Sequence, residues 1–235
     1  MSKSGRSVRR TVLKLLLGTL LIVFVVQLYF FLMVCWYSQF NPRQTNMMSD
    51  QLKALREKNP NAQLKYEWVA YERISANLKR AVIASEDANF ADHDGVDWEA
   101  LQKAYERNNK RHKVVGGGST ITQQLAKNLF LSGSRSYLRK GQELVIAYML
   151  ETVLSKQRIL ELYLNVVEYG RGIFGAQAAA RYYYRTSAAA LGVAQAARLA
   201  VMLPNPRYYD QHRDTSYLAR RTNLIARRMQ ASELP

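Results

Sequence analysis

A run of 23 residues without a formal charge, from Leu15 to Tyr37, places the strongest constraint on how this chain can fold. As an α-helix the run is roughly 34 Å long, and the hydrocarbon core of a bilayer is only ~30 Å thick. The run is longer than the apolar region of a signal peptide, and no small-residue cleavage pattern follows it. The sequence therefore predicts a retained transmembrane helix over residues 15–37.

The charges on either side of this predicted helix indicate its orientation. Only Arg43 lies in the dozen residues after it. Five cations precede it: Lys3, Arg6, Arg9, Arg10 and Lys14. Positive residues favour the cytoplasmic side, so residues 1–14 are predicted to be a cytoplasmic tail and everything after Tyr37 to lie outside. The sequence thus predicts a single-pass membrane protein.

The part of the chain beyond the predicted helix is strongly basic. It holds the other 29 basic residues and all 18 acidic residues, which gives it a net charge of +11. Such a charge indicates a polyanionic partner. For a domain on the outer face of a membrane, that partner is a lipid head group or a lipid-bound phosphate, and nucleic acid is not expected.

Helical periodicity dominates this outer part. Residues 38–65 are polar and predict a stalk or entry segment, and residues 66–235 predict one domain. The main helical patterns cover residues 77–86, 98–110, 120–131, 137–154, 156–166 and 215–230, with Asp97 as a cap and Gly133 as a helix breaker. Because alternating strand patterns are few, the predicted class is mainly α.

A glycine-rich stretch, GGGST at 116–120, has the composition of a phosphate-binding loop. A nucleotide-binding loop needs a lysine directly after the last glycine, whereas here Ser119 follows and the next lysine is Lys127. The nucleotide interpretation is therefore excluded by spacing. Thr120, Gln124 and Lys127 share one polar stripe, and Thr120 with Gln123 fits a capping box. Both a phosphate site and an ordinary helix cap with a solvated face remain open.

Two further stretches could carry chemistry. In SEDANFADHDGVD, residues 85–97, Glu86 ends a predicted helix, where the helix dipole tends to raise its pKa and suits it to be a general base. The alternative is an exposed loop acid, and His93 alone predicts only a loop brace. In RKGQE, residues 139–143, Arg139 and Glu143 form either a plain intrahelical ion pair or part of one glycosyl-transfer site with Glu86.

Together these stretches resemble the family 51 glycosyltransferases, the peptidoglycan transglycosylases. Five blocks of the chain match in order, at residues 86–97, 117–131, 139–143, 156–184 and 197–206. No S-x-x-K motif of a penicillin-binding serine site occurs, so the chain is similar to the monofunctional members. The fold implied is a lysozyme-like helical glycosyltransferase domain with a small membrane-proximal jaw lobe.

The resemblance also implies a reaction. Members polymerise lipid II into glycan strands, by inverting transfer with release of undecaprenyl pyrophosphate. Glu86 matches the catalytic general base. Glu143 matches the second essential acid, near the donor pyrophosphate. One way for it to act there is through a divalent cation such as Mg²⁺ or Mn²⁺. Lys127 and Arg139 match residues that hold the pyrophosphate. Six more positions match residues that line or brace the cleft: Asp87, Phe90, His93, Thr120, Gln124 and Asn128.

Two other functions stay open at this point. A peptidoglycan-cleaving lytic transglycosylase or lysozyme-type enzyme could use the same fold with one acid, but it would have no need of RKGQE. A non-enzymatic scaffold of the cell-wall machinery would not need Glu86 and Glu143. The resemblance implies a place in the bacterial plasma (inner) membrane. The partners that it implies are lipid II, the nascent glycan strand, the membrane, and other cell-wall synthesis or division proteins.

Overall fold

The computed structural model describes residues 3–111, 118–131 and 136–235, which fall into two compact units, 1–40 and 41–235. Two sequence-based predictions lie outside the described residues. They concern the first two glycines of the loop at 116–120 and Gly133 as a helix breaker.

The first unit is built around one long helix, α1, Lys3–Gln39. Its segment Arg9–Gln39 has a mean hydropathy of 2.6 over its most apolar window, and none of that window is buried. Length and composition are sufficient to cross a bilayer. This helix accordingly suggests a membrane anchor.

The second unit is mainly α-helical, which confirms the predicted class. Its helices among the described residues are α2 (Asn46–Arg56), α3 (Ala76–Glu86), α4 (Trp98–Arg111), α5 (Ile121–Phe130), α6 (Tyr137–Val153), α7 (Lys156–Val166), α8 (Ala176–Tyr184), α9 (Val193–Met202), α10 (Pro206–Gln211) and α11 (Ser216–Arg228). The predicted helical patterns match α3 to α7 and α11 to within about two residues. The helices α2 and α10 were not predicted. The lysozyme-like arrangement and the jaw lobe stay predictions from the resemblance.

Side-chain caps explain where many of these helices begin. A serine or threonine hydroxyl accepts a hydrogen bond from a first-turn amide at the start of α2, α3, α6, α7 and α11. Such a cap satisfies one of the amides that has no partner inside the helix. Asp97 caps α4 in the same way, with Ala100 N donating to its Oδ1 at 2.7 Å, as predicted.

A small sheet completes the second unit. Its strands are β1 (Lys65–Tyr66), β2 (Glu168–Gly170) and β3 (Ile173–Phe174), in the order β1-β3-β2. β1 runs parallel to β3, with Lys65 opposite Ile173, and β2 is antiparallel to β3. The turn between β2 and β3 contains Gly172 at φ +72°, and a Cβ there would lie 2.8 Å from Leu55 Cδ1.

The core consists of two helix groups. In one, α3 packs against α9 and α11, and Leu78, Leu199 and Leu218 are fully buried. In the other, α5 packs against α6 and α7, and Leu125 and Ile146 are fully buried. Burying one such side chain contributes about 1.5–3 kcal/mol. These two groups position the end of α3 and the start of α5.

Candidate active site

Glu86 is the last residue of α3, and two hydrogen bonds hold its carboxylate. Gln124 of α5 donates from Nε2 to Glu86 Oε2 at 3.0 Å, and Ser85 Oγ donates to Glu86 Oε1 at 3.3 Å. The rest of α3 is fixed by its packing on α9 and α11. The site therefore has a carboxylate on a rigid element, facing an amide on a second helix.

The surroundings of Glu86 favour its protonated form. Burial is the largest influence and raises the pKa of the carboxyl group, and the charge of Asp87 also raises it. The hydrogen bonds from Gln124 and Ser85 and the charge of Arg221 act in the opposite direction. The predicted direction of the pKa shift is confirmed, but loss of solvation is its main cause. A carboxylate with a raised pKa suits general base catalysis.

Asp87 and His93 join the loop after α3 to the start of α5. Asp87 is 6% exposed. Its Oδ2 accepts from Ile121 N at 2.9 Å, and its Oδ1 lies 2.9 Å from His93 Nε2. His93 Nδ1 accepts from Gly95 N at 3.1 Å, so the ring proton resides on Nε2 and is donated to Asp87. Both residues brace the site, as predicted for His93.

Thr120 caps α5, but the predicted capping box is only half formed. Thr120 Oγ1 accepts from Gln123 N at 3.2 Å and donates to Gly95 O at 2.7 Å. The side chain of Gln123 does not accept a hydrogen bond from the backbone N–H of Thr120, which a complete capping box requires. Its Nε2 donates to Gly95 O at 3.3 Å, and its Oε1 accepts from Lys140. Both ends of the amide are therefore already hydrogen-bonded.

Tyr163 of α7 is a site residue that the sequence-based prediction missed. Its side chain is fully buried, and its hydroxyl donates to Gln124 Oε1 at 2.8 Å. Gln124 therefore lies between Tyr163 and Glu86. Tyr163 falls on the buried apolar stripe of α7 with Ile159 and Leu162, so the sequence pattern indicates only a core position.

Glu143 of α6 is buried, with 3% exposed, between two cations. Arg139 donates from a terminal guanidinium nitrogen to Glu143 Oε2 at 2.8 Å, and Lys140 donates to Glu143 Oε1. The same ammonium donates to Ser119 Oγ at 3.1 Å and to Gln123 Oε1 at 3.0 Å. Lys140, another residue not predicted, therefore joins Glu143 to α5. Its presence in RKGQE, three residues before Glu143, was the available signal.

The two carboxylates are connected to neighbouring residues of α5. Gln124 bonds to Glu86, and Gln123 bonds to the lysine that holds Glu143. Lys127 and Asn128 lie one turn further along the same two faces. Of the alternative interpretation, an ordinary helix cap with a solvated face, the cap is present at Thr120, but Thr120 is buried and Gln124 is only half-buried.

Arg139 and Phe90 have distinct environments. The Nε atom of Arg139 is buried and has no hydrogen-bond partner among the described residues. Phe90 is fully buried beneath the ammonium of Lys156, which lies 4.7 Å from the ring centroid, and it meets the His93 ring edge-on. Phe90 therefore braces the loop and does not line an open cleft.

The residues around Glu143 do not fit a divalent cation held by the protein. Both carboxylate oxygens already accept from cationic groups, whereas Mg²⁺ and Mn²⁺ require oxygen ligands that are open to the metal. Across the described parts of the chain, no group of three or more His, Cys, Asp or Glu side chains could hold a metal ion.

Comparisons with known proteins extend over nearly the whole chain. A family model described as Transglycosylase matches residues 51–230. The chain is similar to a "Biosynthetic peptidoglycan transglycosylase" of Janthinobacterium sp. (strain Marseille), with 65% identity over 227 residues that cover 97% of this chain and 98% of that protein. A protein of the same name from Bordetella pertussis is 59% identical over 230 residues, covering 96% of this chain and 95% of that protein.

Proposed function

The chain belongs to the transglycosylase family and is a peptidoglycan glycosyltransferase, and we propose that it polymerises lipid II into glycan strands. The 4-hydroxyl oxygen of the acceptor sugar bonds to C1 of the terminal sugar of the growing chain. The bond from C1 to the pyrophosphate oxygen breaks, and the hydroxyl proton passes to Glu86. Attack opposite the leaving group inverts C1 and releases undecaprenyl pyrophosphate.

The observation that carries this proposal is the Glu86 carboxylate, half-buried at the end of a helix that packs on α9 and α11. Its raised pKa suits it to accept the hydroxyl proton, and Gln124 keeps an N–H directed at its Oε2. A general base contributes typically 10²–10⁴-fold to a rate.

The cations Arg139 and Lys127 support a binding site for the pyrophosphate. Glu143 orients Arg139 through their 2.8 Å contact, and the Nε of Arg139 is not used by any described residue. We propose that Arg139 and Lys127 hold the pyrophosphate and offset the charge that develops as it leaves. Thr120, Gln124 and Asn128 then shape the wall of the cleft from α5.

The proposal also places the protein in the cell. Residues 1–14 form the cytoplasmic tail, 15–37 the transmembrane helix, 38–65 the entry segment and 66–235 the catalytic domain on the outer face of the plasma membrane. A basic outer domain suits a lipid-bound pyrophosphate. Partners are the membrane, lipid II, the nascent glycan strand and other cell-wall synthesis or division proteins.

Glu86→Gln tests the role of the base. With labelled lipid II and purified full-length protein, this variant is expected to form no glycan chains, because an amide cannot take the hydroxyl proton. The wild type is expected to form chains in a moenomycin-sensitive reaction. Asp92→Asn, a neutral change of an exposed acid in the same loop, serves as the matched control and keeps wild-type turnover.

Two results would contradict the proposal. Wild-type turnover by Glu86→Gln would remove Glu86 from the chemistry. Release of soluble muropeptides from purified sacculi, without chain synthesis from lipid II, would favour the cleaving alternative.

A further inference from the structure

The orientation of one amide connects a buried tyrosine to the carboxylate of the site. Tyr163 donates to Gln124 Oε1 at 2.8 Å, and Gln124 Nε2 donates to Glu86 Oε2 at 3.0 Å. The three side chains come from α7, α5 and α3. These three residues are far apart in sequence, so the fold alone brings their side chains together.

The reversed amide would be strongly unfavourable. Its oxygen would face the Glu86 carboxylate, placing one acceptor against another. The Tyr163 hydroxyl would lose the acceptor that it has among the described residues, and it is fully buried. A buried donor without an acceptor carries a full desolvation penalty. The Tyr163 hydroxyl therefore selects the orientation in which an N–H is directed at Glu86.

We propose that Tyr163 is a positioning residue for glycan transfer, which locks the Gln124 amide so that it donates to Glu86 and favours the ionised base. This inference rests on the proposed role of Glu86. Tyr163 itself does not touch substrate, because its ring and hydroxyl are buried.

Other charged and titratable groups also face Glu86, and they influence its pKa together with the bond from Gln124. Besides Tyr163, they are Asp87, Arg221 of α11 and Tyr169 of β2. Arg221 favours the ionised carboxylate, whereas Asp87 opposes it. Loosening the Gln124 bond leaves these groups in place, so the effect of Tyr163 can be measured separately.

Tyr163→Phe is the test, and the chain offers a matched control in Tyr169→Phe. Both tyrosines are fully buried near Glu86, but the Tyr169 hydroxyl has no hydrogen-bond partner among the described residues. We expect Tyr163→Phe to move the acidic limb of the kcat/KM profile to higher pH, because the Gln124 amide, whose bond lowers the pKa of Glu86, is no longer held in its orientation. The loss on that limb should be roughly three- to tenfold, mainly in kcat. Tyr169→Phe should leave the limb in place.

A double-mutant cycle separates the relay from a general packing effect. In a Gln124→Leu background, Tyr163→Phe should have no further effect on the acidic limb, because the link to Glu86 is already absent. Equal additive effects in both backgrounds would overturn the proposal. Thermal unfolding of every variant confirms that the fold is retained.

Carbon-13 NMR of the Glu86 carboxyl group distinguishes failure of this inference from failure of the proposed function. The signal is assigned by its absence in Glu86→Gln and titrated in the full-length protein. An unchanged Glu86 titration in Tyr163→Phe would overturn the positioning role. A Glu86 titration moved to higher pH, together with full polymerisation by Glu86→Gln, would support the relay and reject Glu86 as the base.

Discussion

On folding, Glu86 loses solvation and takes a fixed position beside Gln124. This loss of solvation affects the stability of the protein. Burial raises the pKa of Glu86 in the folded protein. Below the ordinary Glu pKa of about 4.3, both the folded and the unfolded chain carry the proton. As the pH rises through the folded pKa, the unfolded chain has already released its proton, and stability is lost. The base therefore destabilises the protein in the pH range where it is ionised.

Glu86→Gln is consequently expected to be more stable than the wild type at pH 8. The gain should be about 1 kcal/mol in the free energy of unfolding, a common size for a neutral replacement at a functional site. The gain should shrink towards pH 4, where the wild-type carboxyl group is protonated in both states. Thermal unfolding at several pH values measures it, and Asp92→Asn should show no comparable gain. A gain that is the same at pH 4 and pH 8 would contradict this account.

Single residues also show where sequence reasoning reached its limit. The end of α3 at Glu86 and the ion pair of Glu143 with Arg139 could be located from helical patterns and spacing. Tyr163 and the bonds from Lys140 to Ser119 and Gln123 could not, because these contacts join segments that are distant in sequence. A tyrosine on an apolar stripe indicates a core position whether or not its hydroxyl supports a catalytic group.

Among the elements, helix ends were the most predictable part of the fold. Ser and Thr caps and apolar spacing predict the bounds of α3, α6 and α7 because both signals are local. The pairing of β1 with β3 was not predictable, since strands of two residues at Lys65 and Ile173 carry no pattern of their own. The burial of α2 against α5 was missed for a similar reason: its polar sequence favoured an entry segment.

The end of α8 is strained, and the strain can be removed. Arg185 caps this helix at φ +53° and is the non-glycine residue with positive φ among those described. Glycine adopts this conformation without the Cβ penalty. Arg185→Gly is expected to raise the free energy of unfolding by about 0.5–1 kcal/mol, measured by thermal or denaturant unfolding.

Arg185→Ala is the matched control for that variant, because it removes the guanidinium and keeps the Cβ. It should show no gain. Equal stabilisation by both substitutions would mean that the charge, and not the backbone conformation, is responsible.

For the whole molecule, charge is distributed according to its two units. The cations before the predicted span belong to the first unit, and the second carries an excess of basic over acidic residues. Positive residues in the short N-terminal tail determine orientation, whereas charges in a large domain have little influence on it. Orientation should thus depend on a few residues that contribute nothing to the catalytic site.

Protease digestion can test how far the orientation in the membrane depends on the N-terminal cations. In intact spheroplasts, added protease should digest residues 41–235 and leave an N-terminal tag protected until the membrane is permeabilised. Replacing Arg9 and Arg10 with Gln should yield a measurable fraction of reversed molecules, because the charge bias is reduced. Replacing Arg227 and Arg228 with Gln changes the net charge equally but should leave the orientation intact. If the two pairs had equal effects, total charge and not the N-terminal tail would direct insertion, and a tag digested in intact spheroplasts would place the N-terminus outside.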